Sequence, residues 1–396
     1  MIRGSPWRGQ PIGSHIMKIT KLALAASFSL MAVISYASAA GAQETSPVKI
    51  GVILPLSGSG TFEGQLGLEG AKVVVDMINE DGGILGGRNI EVVEYDDKSS
   101  PEEGASAARR AMEQDGVDAI VGNMFSPVAL AMKEVTRDKI LHVAIAPQHP
   151  NVTKEGHKWL FRMNETTVMR GANFSRFICE NMKLKTVAIL AINDDYGRND
   201  AENFQKYFAD CGMEVKSVEF FQKTDTDFAV QVSKIRGIGP DGVYVAANAI
   251  SQGATIYKQL KQLGYRGTII ASGGNVSPKL VELSGSAIEG VFSVSPYVED
   301  PNDALAVRWR SGYAARFKNE TSFIAALTAA GMEVVAKAMD KAGTSTDHEK
   351  IAQTIRDNQW DTVIGPVKFD ELGQAYINSY IVQVKDGKIT PHSRAN

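Results

Sequence analysis

Cysteine is nearly missing from this chain: 396 residues hold 2, Cys179 and Cys211. A disulfide-built scaffold and a Cys-x-x-Cys metal or redox motif are therefore excluded. Histidine is scarce, at 6, and no His-Glu-x-x-His occurs, which removes a zinc-hydrolase helix. Gly-x-Ser-x-Gly and P-loop patterns are missing as well, so neither a serine-hydrolase elbow nor a phosphate-cradling loop is present. No block of like charge marks a nucleic-acid or membrane-surface partner. No repeat is sustained, no low-complexity linker intervenes, and no membrane-spanning run follows residue 42.

What is present begins with a leader. Lys18 and Lys21 precede an uncharged run, Leu22 to Ala40, which ends in Ala40-Gly41-Ala42. A basic start, an apolar stretch and a small-x-small end predict a secretory signal peptide over 17–42. Residues 1–16 read as an extraneous or wrongly assigned start. No cysteine stands at the cleavage point, so the expected product is periplasmic and not lipid-anchored. Its net charge is −7 rather than −3, because Arg3, Arg8, Lys18 and Lys21 leave with the leader. The remaining 354 residues suffice for two cores. Each cysteine lies on a predicted helix beside strand 186–192, and both one bridge and two buried thiols remain open.

From Val48 onward, short β-branched runs alternate with helical patterns. Val48–Leu54, Ile90–Tyr95, Ala119–Val121 and Leu141–Ile145 form a first strand series. A second opens at Val187–Ile192 and continues through 215–220, 242–245, 268–271 and 290–294. Leu160–Met163 looks like a connecting strand between them. Two long helices, 303–318 and 323–342, follow and are expected to return to the first series. Such βαβα alternation predicts an α/β protein with two doubly wound parallel-sheet lobes. Ligands of these sheets sit beyond the carboxyl ends of the strands, where strand order reverses.

Candidate site residues fall on those edges. Gly58-x-Gly60 after the first strand, with Asp96-Asp97 ending the second, resembles a dinucleotide fingerprint, but the third glycine comes one residue late. In Phe125-Ser126-Pro127, Ser126 reads as the N-cap of a helix with proline at its first position, an arrangement that suits a carboxylate as well as an ordinary capped helix. Ala146, Gln148 and His149 lie on the same edge. In the second series Tyr196, Asn248, Gly273 and Asn275 follow successive strands. Asp194, Asp195 and Asp200 are poorly spaced for a metal cage. The expectation is a cleft without a catalytic constellation, metal or cofactor.

Val48-Lys49-Ile50-Gly51-Val52, Pro55-Leu56-Ser57-Gly58, Gly70-Ala71 and Asn79-Glu80-Asp81-Gly82-Gly83-Ile84 resemble the leucine/isoleucine/valine-binding protein family. Tyr95-Asp96-Asp97, Ile120-Val121-Gly122, Asp195-Tyr196-Gly197, Asp227-Phe228, Glu289-Gly290, Gly365-Pro366 and Phe369-Asp370 continue the likeness to the end of the chain. The resemblance implies a type I periplasmic binding protein fold, with two lobes joined by a multi-strand hinge. The lobes are expected at 48–165 with 297–370, and at 166–296 with 371–396. It further implies no enzymatic activity, a monomer, and the membrane permease of an ABC importer as partner. By position Ser126 matches a carboxylate-binding serine, Tyr196 a cleft tyrosine, and Phe62-Glu63 an aromatic closing over the ligand.

Several positions depart from that pattern. Ala146-Pro147-Gln148 stands where amino-acid binders present a hydroxyl and free N–H groups, and Pro147 has no donor. Ser272-Gly273-Gly274-Asn275 stands where they carry an acid for the ammonium, and Asn248 replaces an aromatic residue. A buried ammonium without a carboxylate costs several kcal/mol. The expected ligand is therefore a small organic carboxylate, aromatic or branched, ahead of a plain branched-chain amino acid. The alternatives are a branched-chain amino acid or an amide, and beyond those a secreted sensor ectodomain or an enzyme on the same fold.

Overall fold

The computed structural model describes residues 1–6, 8–9, 46–273, 276–318 and 320–395. The expected signal peptide, 17–42, lies outside the described residues. The chain divides into two compact units, Met1–Thr45 and Ser46–Asn396. What is described of the first has no regular secondary structure.

Within Ser46–Asn396, strand β1 (Val48–Leu54) is buried along its length except at Lys49. A continuous apolar run of this kind fits a parallel strand covered on both faces. β1 lies between β2 (Ile90–Asp96) and β3 (Ala119–Gly122), and β4 (Leu141–Ala144) and β5 (Leu160–Arg162) complete a parallel sheet ordered 2-1-3-4-5. The sequence reading ended this series at four strands. Leu160–Arg162 is instead a fifth strand, paired with His142–Ala144, and at three residues it is too short to declare itself by pattern.

The second sheet holds β6 (Thr186–Ile192), β7 (Glu214–Phe221), β8 (Gly242–Ala246), β9 (Thr268–Ala271) and β10 (Phe292–Ser295), ordered 7-6-8-9-10. A small antiparallel sheet follows from β11 (Gln359–Thr362), β12 (Gly365–Phe369) and β13 (Ala375–Tyr376). The chain then returns as β14 (Tyr380–Lys385) and β15 (Lys388–Arg394), antiparallel beside β10.

Two hydrophobic cores result. One gathers residues from 48–163 and 297–377, the other residues from 174–294 together with Ile381 and Val384. Helices Ala304–Phe317 and Phe323–Ala342 pack on helix Thr61–Glu80. Gly70 permits that packing: a Cβ there would fall 2.3 Å from the Ala325 carbonyl oxygen. Trp309 Nε1 donates to the Gly70 carbonyl at 3.2 Å across the same contact.

The two cysteines are bridged. Cys179 sits near the end of helix Thr167–Asn181, while Cys211 is the C-cap just past helix Asp195–Asp210 rather than within it. In each parallel sheet the order reverses about a central strand, between β1 and β3 and between β6 and β8. Those reversals open crevices at the carboxyl edges, where loops can meet a ligand.

Candidate functional site

The loop after β3 turns at Asn123, whose φ of 65° is left-handed. Asn123 is held by the buried ring of His142, which also contacts Thr136 Oγ1 at 3.0 Å. Burial depresses the His142 imidazole to about 3, so the ring is neutral at ordinary pH. This turn delivers Met124, Phe125 and Ser126 to the carboxyl edge of the first sheet.

Ser126 does not cap its helix. Phe125 is the N-cap of helix Ser126–Thr136, Ser126 is its first residue, and no side chain caps it. Ser126 Oγ instead accepts the backbone N–H groups of Gln148 and His149, each at 3.1 Å. The neighbouring loop offers two donors where the helix would offer one, and Pro127 lacks an N–H of its own. A hydroxyl has two lone pairs and one proton. With both lone pairs used, Ser126 has its proton left to give.

The loop after β4 is fixed from several sides. Ala146 O accepts from Asn164 Nδ2 at 3.1 Å, Gln148 O from Thr167 N at 2.8 Å, and His149 O from Arg162 Nη1 at 2.6 Å. From the second sheet, Tyr196 is buried and its hydroxyl donates to Ser272 Oγ at 2.9 Å. Burial pushes the phenol well above its usual range, so the ring rather than a phenolate faces the cleft. Asn248 Nδ2 donates to Asp194 Oδ2 at 2.6 Å, and Asp194 in turn caps helix Asp195–Asp210 through Gly197 N. Burial raises Asp194 to about 6.

These elements border a pocket at the carboxyl edges of the two sheets. Its wall brings together Phe125, Ser126, Ala146, Gln148, Tyr196, Asn248 and Gly273. Phe62 and Glu63 wall a second pocket at the same seam, with Ile250 and Lys279. Glu63 Oε1 accepts the N–H of Ile250 at 2.8 Å, which joins the two halves. The Lys279 ammonium lies 5.8 Å from the centroid of the Phe62 ring. His149 borders neither cavity; its contribution is the backbone N–H given to Ser126. Asn275 lies outside the described residues.

Sequence reasoning missed Met124, Phe323 and Ile324, which also line the first cavity. Phe323 and Ile324 open helix Phe323–Ala342, capped by Ser322. Ser-Phe-Ile at a helix start was a readable signal, but its direction depends on packing against segments distant in sequence. The glycine-rich loop after β1 shows no dinucleotide arrangement: Asp96 Oδ1 is occupied by the N–H groups of Leu56, Ser57 and Lys98. Asp200 is paired with Arg170 and accepts from the Tyr244 hydroxyl at 2.7 Å. Among the described residues no cluster of three or more His, Cys, Asp or Glu is placed to hold a metal.

Residues 47–388 match the family model described as periplasmic binding protein. The leucine-, isoleucine-, valine-, threonine- and alanine-binding protein of Pseudomonas aeruginosa is 28% identical over 349 residues, covering 87% of this chain and 91% of that one. A leucine binding protein from Thermotoga maritima superposes with a TM-score of 0.81 at 30% identity, over 88% of this chain and 99% of its own. A solute binding protein of an ABC transporter from R. palustris, solved with benzoate, gives 0.82 at 20% identity, over 88% and 96%, a likeness of fold alone. The two-sheet architecture, the cleft between its carboxyl edges and these matches lead to one conclusion: the chain belongs to the periplasmic binding protein family, as a solute-binding protein of the Leu/Ile/Val-binding group with the type I fold.

Proposed function

We propose that this protein captures a small organic carboxylate lacking an α-ammonium, an aromatic or branched acid ahead of leucine, and delivers it to the permease of an ABC importer. The observation that carries this reading is the bonding of Ser126. Its oxygen accepts two N–H groups, so its proton is directed to an acceptor, at a helix N-terminus that no side chain caps. Helix N-termini favour anions. Among the described residues no acidic side chain lines the cavity, so an ammonium would enter without a charged partner. Phe125, Phe323 and the Tyr196 ring supply an apolar surround for a ring or branched chain.

In this proposal the two cores act as lobes, expected at 48–165 with 297–370 and at 166–296 with 371–396, except that Ala375 and Ile377 pack in the first core, after export through the leader 17–42. A ligand touching both lobes shifts an open–closed equilibrium toward the closed form. Calorimetric titration with leucine and benzoate, side by side, tests the ligand class. Benzoate is expected to bind and leucine to bind weakly. Tight leucine binding with no response to benzoate removes the reading and favours the amino-acid alternative that the names of the relatives suggest.

A further inference from the structure

We infer that Arg162, which does not line the pocket, is the positioning residue that sets the charge accepted at the Ser126 corner: its guanidinium is a buried positive charge to which a bound carboxylate supplies the opposite one. This rests on the carboxylate reading above and deepens it from a hydrogen bond to a charge.

Arg162 ends strand β5 and is fully buried. Each of its nitrogens is spent on a neutral acceptor. Nε donates to Gln374 Oε1 at 2.7 Å, Nη1 to the His149 carbonyl at 2.6 Å and Nη2 to Thr153 Oγ1 at 2.8 Å. Its hydrogen bonding is met, but its charge is not. Other buried cations are treated differently: Arg170 holds the Asp200 carboxylate, and Lys133 Nζ lies 3.1 Å from Glu155 Oε2. Asp370 acts on Arg162 through space, while its Oδ1 accepts the N–H groups of Leu372 and Gln374. Burial lowers the guanidinium to about 9, so it keeps its charge at neutral pH. A charge taken out of water without a bonded opposite is costly.

That charge stands behind the carboxylate corner. His149 joins the two, because its carbonyl takes Arg162 Nη1 and its N–H goes to Ser126 Oγ at 3.1 Å. These two bonds and the backbone of one residue keep the guanidinium within about 10 Å of Ser126 Oγ. Over that span of buried protein a unit charge changes the affinity of an anion roughly tenfold, and that of a neutral ligand little. The His149 ring already feels it: burial lowers its pKa, Asp195 opposes this, and Arg162 and Lys133 lower it further. Asp195 is exposed, so solvent screens its charge. A carboxylate answers the guanidinium without displacing any of its hydrogen bonds, whereas a neutral ligand leaves it unanswered.

The test is calorimetric titration of the full chain with benzoate and benzamide, and with leucine and leucinamide, so that each acid is compared with its own amide. Wild type is expected to prefer the acid of the pair it binds. Gln374→Glu sets a carboxylate against Arg162 Nε and leaves the arginine and its bond to His149 in place. It is expected to weaken acid binding roughly fivefold or more and to leave the amide unchanged. Gln374→Met, which adds no charge, is the control where the amide binds too weakly to read. Arg162→Gln is expected to lose roughly tenfold on the acid alone, and Arg162→Lys to keep the wild-type ratio; if one series folds poorly, the other decides. Equal losses for acid and amide, or no greater loss in Gln374→Glu than in Gln374→Met, make Arg162 a structural clamp and overturn the inference. A response to leucine alone overturns the ligand preference proposed above, and the Arg162 comparison is then read on leucine. No response to either acid overturns both.

Discussion

Ser126 illustrates how much a single hydroxyl depends on what its lone pairs are doing. As an N-cap it would accept from its own helix; here it accepts from a loop 22 residues away and is left as a donor. Ser126→Ala is therefore expected to weaken carboxylate binding by about 1.5–3 kcal/mol, the range for a hydrogen bond to a charged group, with a smaller loss of stability. Calorimetry and a melt on the same sample check both halves of that statement. Asp97 behaves oppositely to a paired acid. It is fully buried, one oxygen accepts Ser99 N at 2.8 Å and the other has no partner, and burial raises its carboxyl to about 7. The native state then holds a proton that the unfolded chain releases near 4, so stability falls as pH rises from about 4 to about 7. Asp97→Asn removes that loss and should gain about 2–4 kcal/mol on wild type at pH 8, but little at pH 4. Urea unfolding at the two pH values measures it, and a difference independent of pH would contradict the assignment.

Strands and helices were largely legible in the sequence, because parallel strands buried on both faces leave continuous apolar runs such as Val48–Leu54 and Thr186–Ile192. Leu160–Arg162 was legible as a strand, but not its place as the fifth of the first sheet, since three residues carry no period that would assign it to either series. Several positions facing the cleft could be read from one rule, that loops at the carboxyl edges of reversing sheets converge, but Phe323 and Ile324, which open a helix, could not, and His149 borders neither pocket. Their bonding could not, because the partners of Ser126, Asn248 and Glu63 are set by chain segments distant in sequence. The cysteine pairing lies between these cases: both helices were placed beside β6, but only packing brings their ends within a Cα separation of 6.2 Å. The bridge closes 32 residues, a loop whose restriction in the unfolded chain corresponds to about 3–4 kcal/mol. Cys211→Ser should lower stability by about that amount or somewhat less, read as a shift in denaturation midpoint. Reduction of the wild type should reproduce it, and no shift in either experiment would remove the bridge as a support of helices Thr167–Asn181 and Asp195–Asp210.

At the scale of the whole molecule, the two halves meet through a small number of polar contacts besides the cavity wall. Glu63 accepts the first N–H of helix Ile250–Gln262, which has no side-chain cap from its own half. Lys223 Nζ donates to the Ser99 carbonyl, and Gln148 reaches Gly273. Glu63 is 5% exposed and burial raises its carboxyl, so this capping bond opposes a desolvation cost and its net worth is limited. Charge-assisted bonds of this kind contribute about 1.5–3 kcal/mol each at most, whereas complete switching of a two-state equilibrium takes about 5.5 kcal/mol. On the proposed open–closed reading, these polar contacts bias closure and a ligand that spans both halves supplies the remainder. Removing two of them in Glu63→Ala/Lys223→Ala should shift the ligand-free population toward the open form, visible as a larger radius of gyration in small-angle scattering. Saturating ligand should restore the compact value, at an affinity reduced by the population of closed form that was lost. If scattering of the double variant without ligand matches wild type, these contacts do not govern closure, and the balance lies in the segments that connect the two cores.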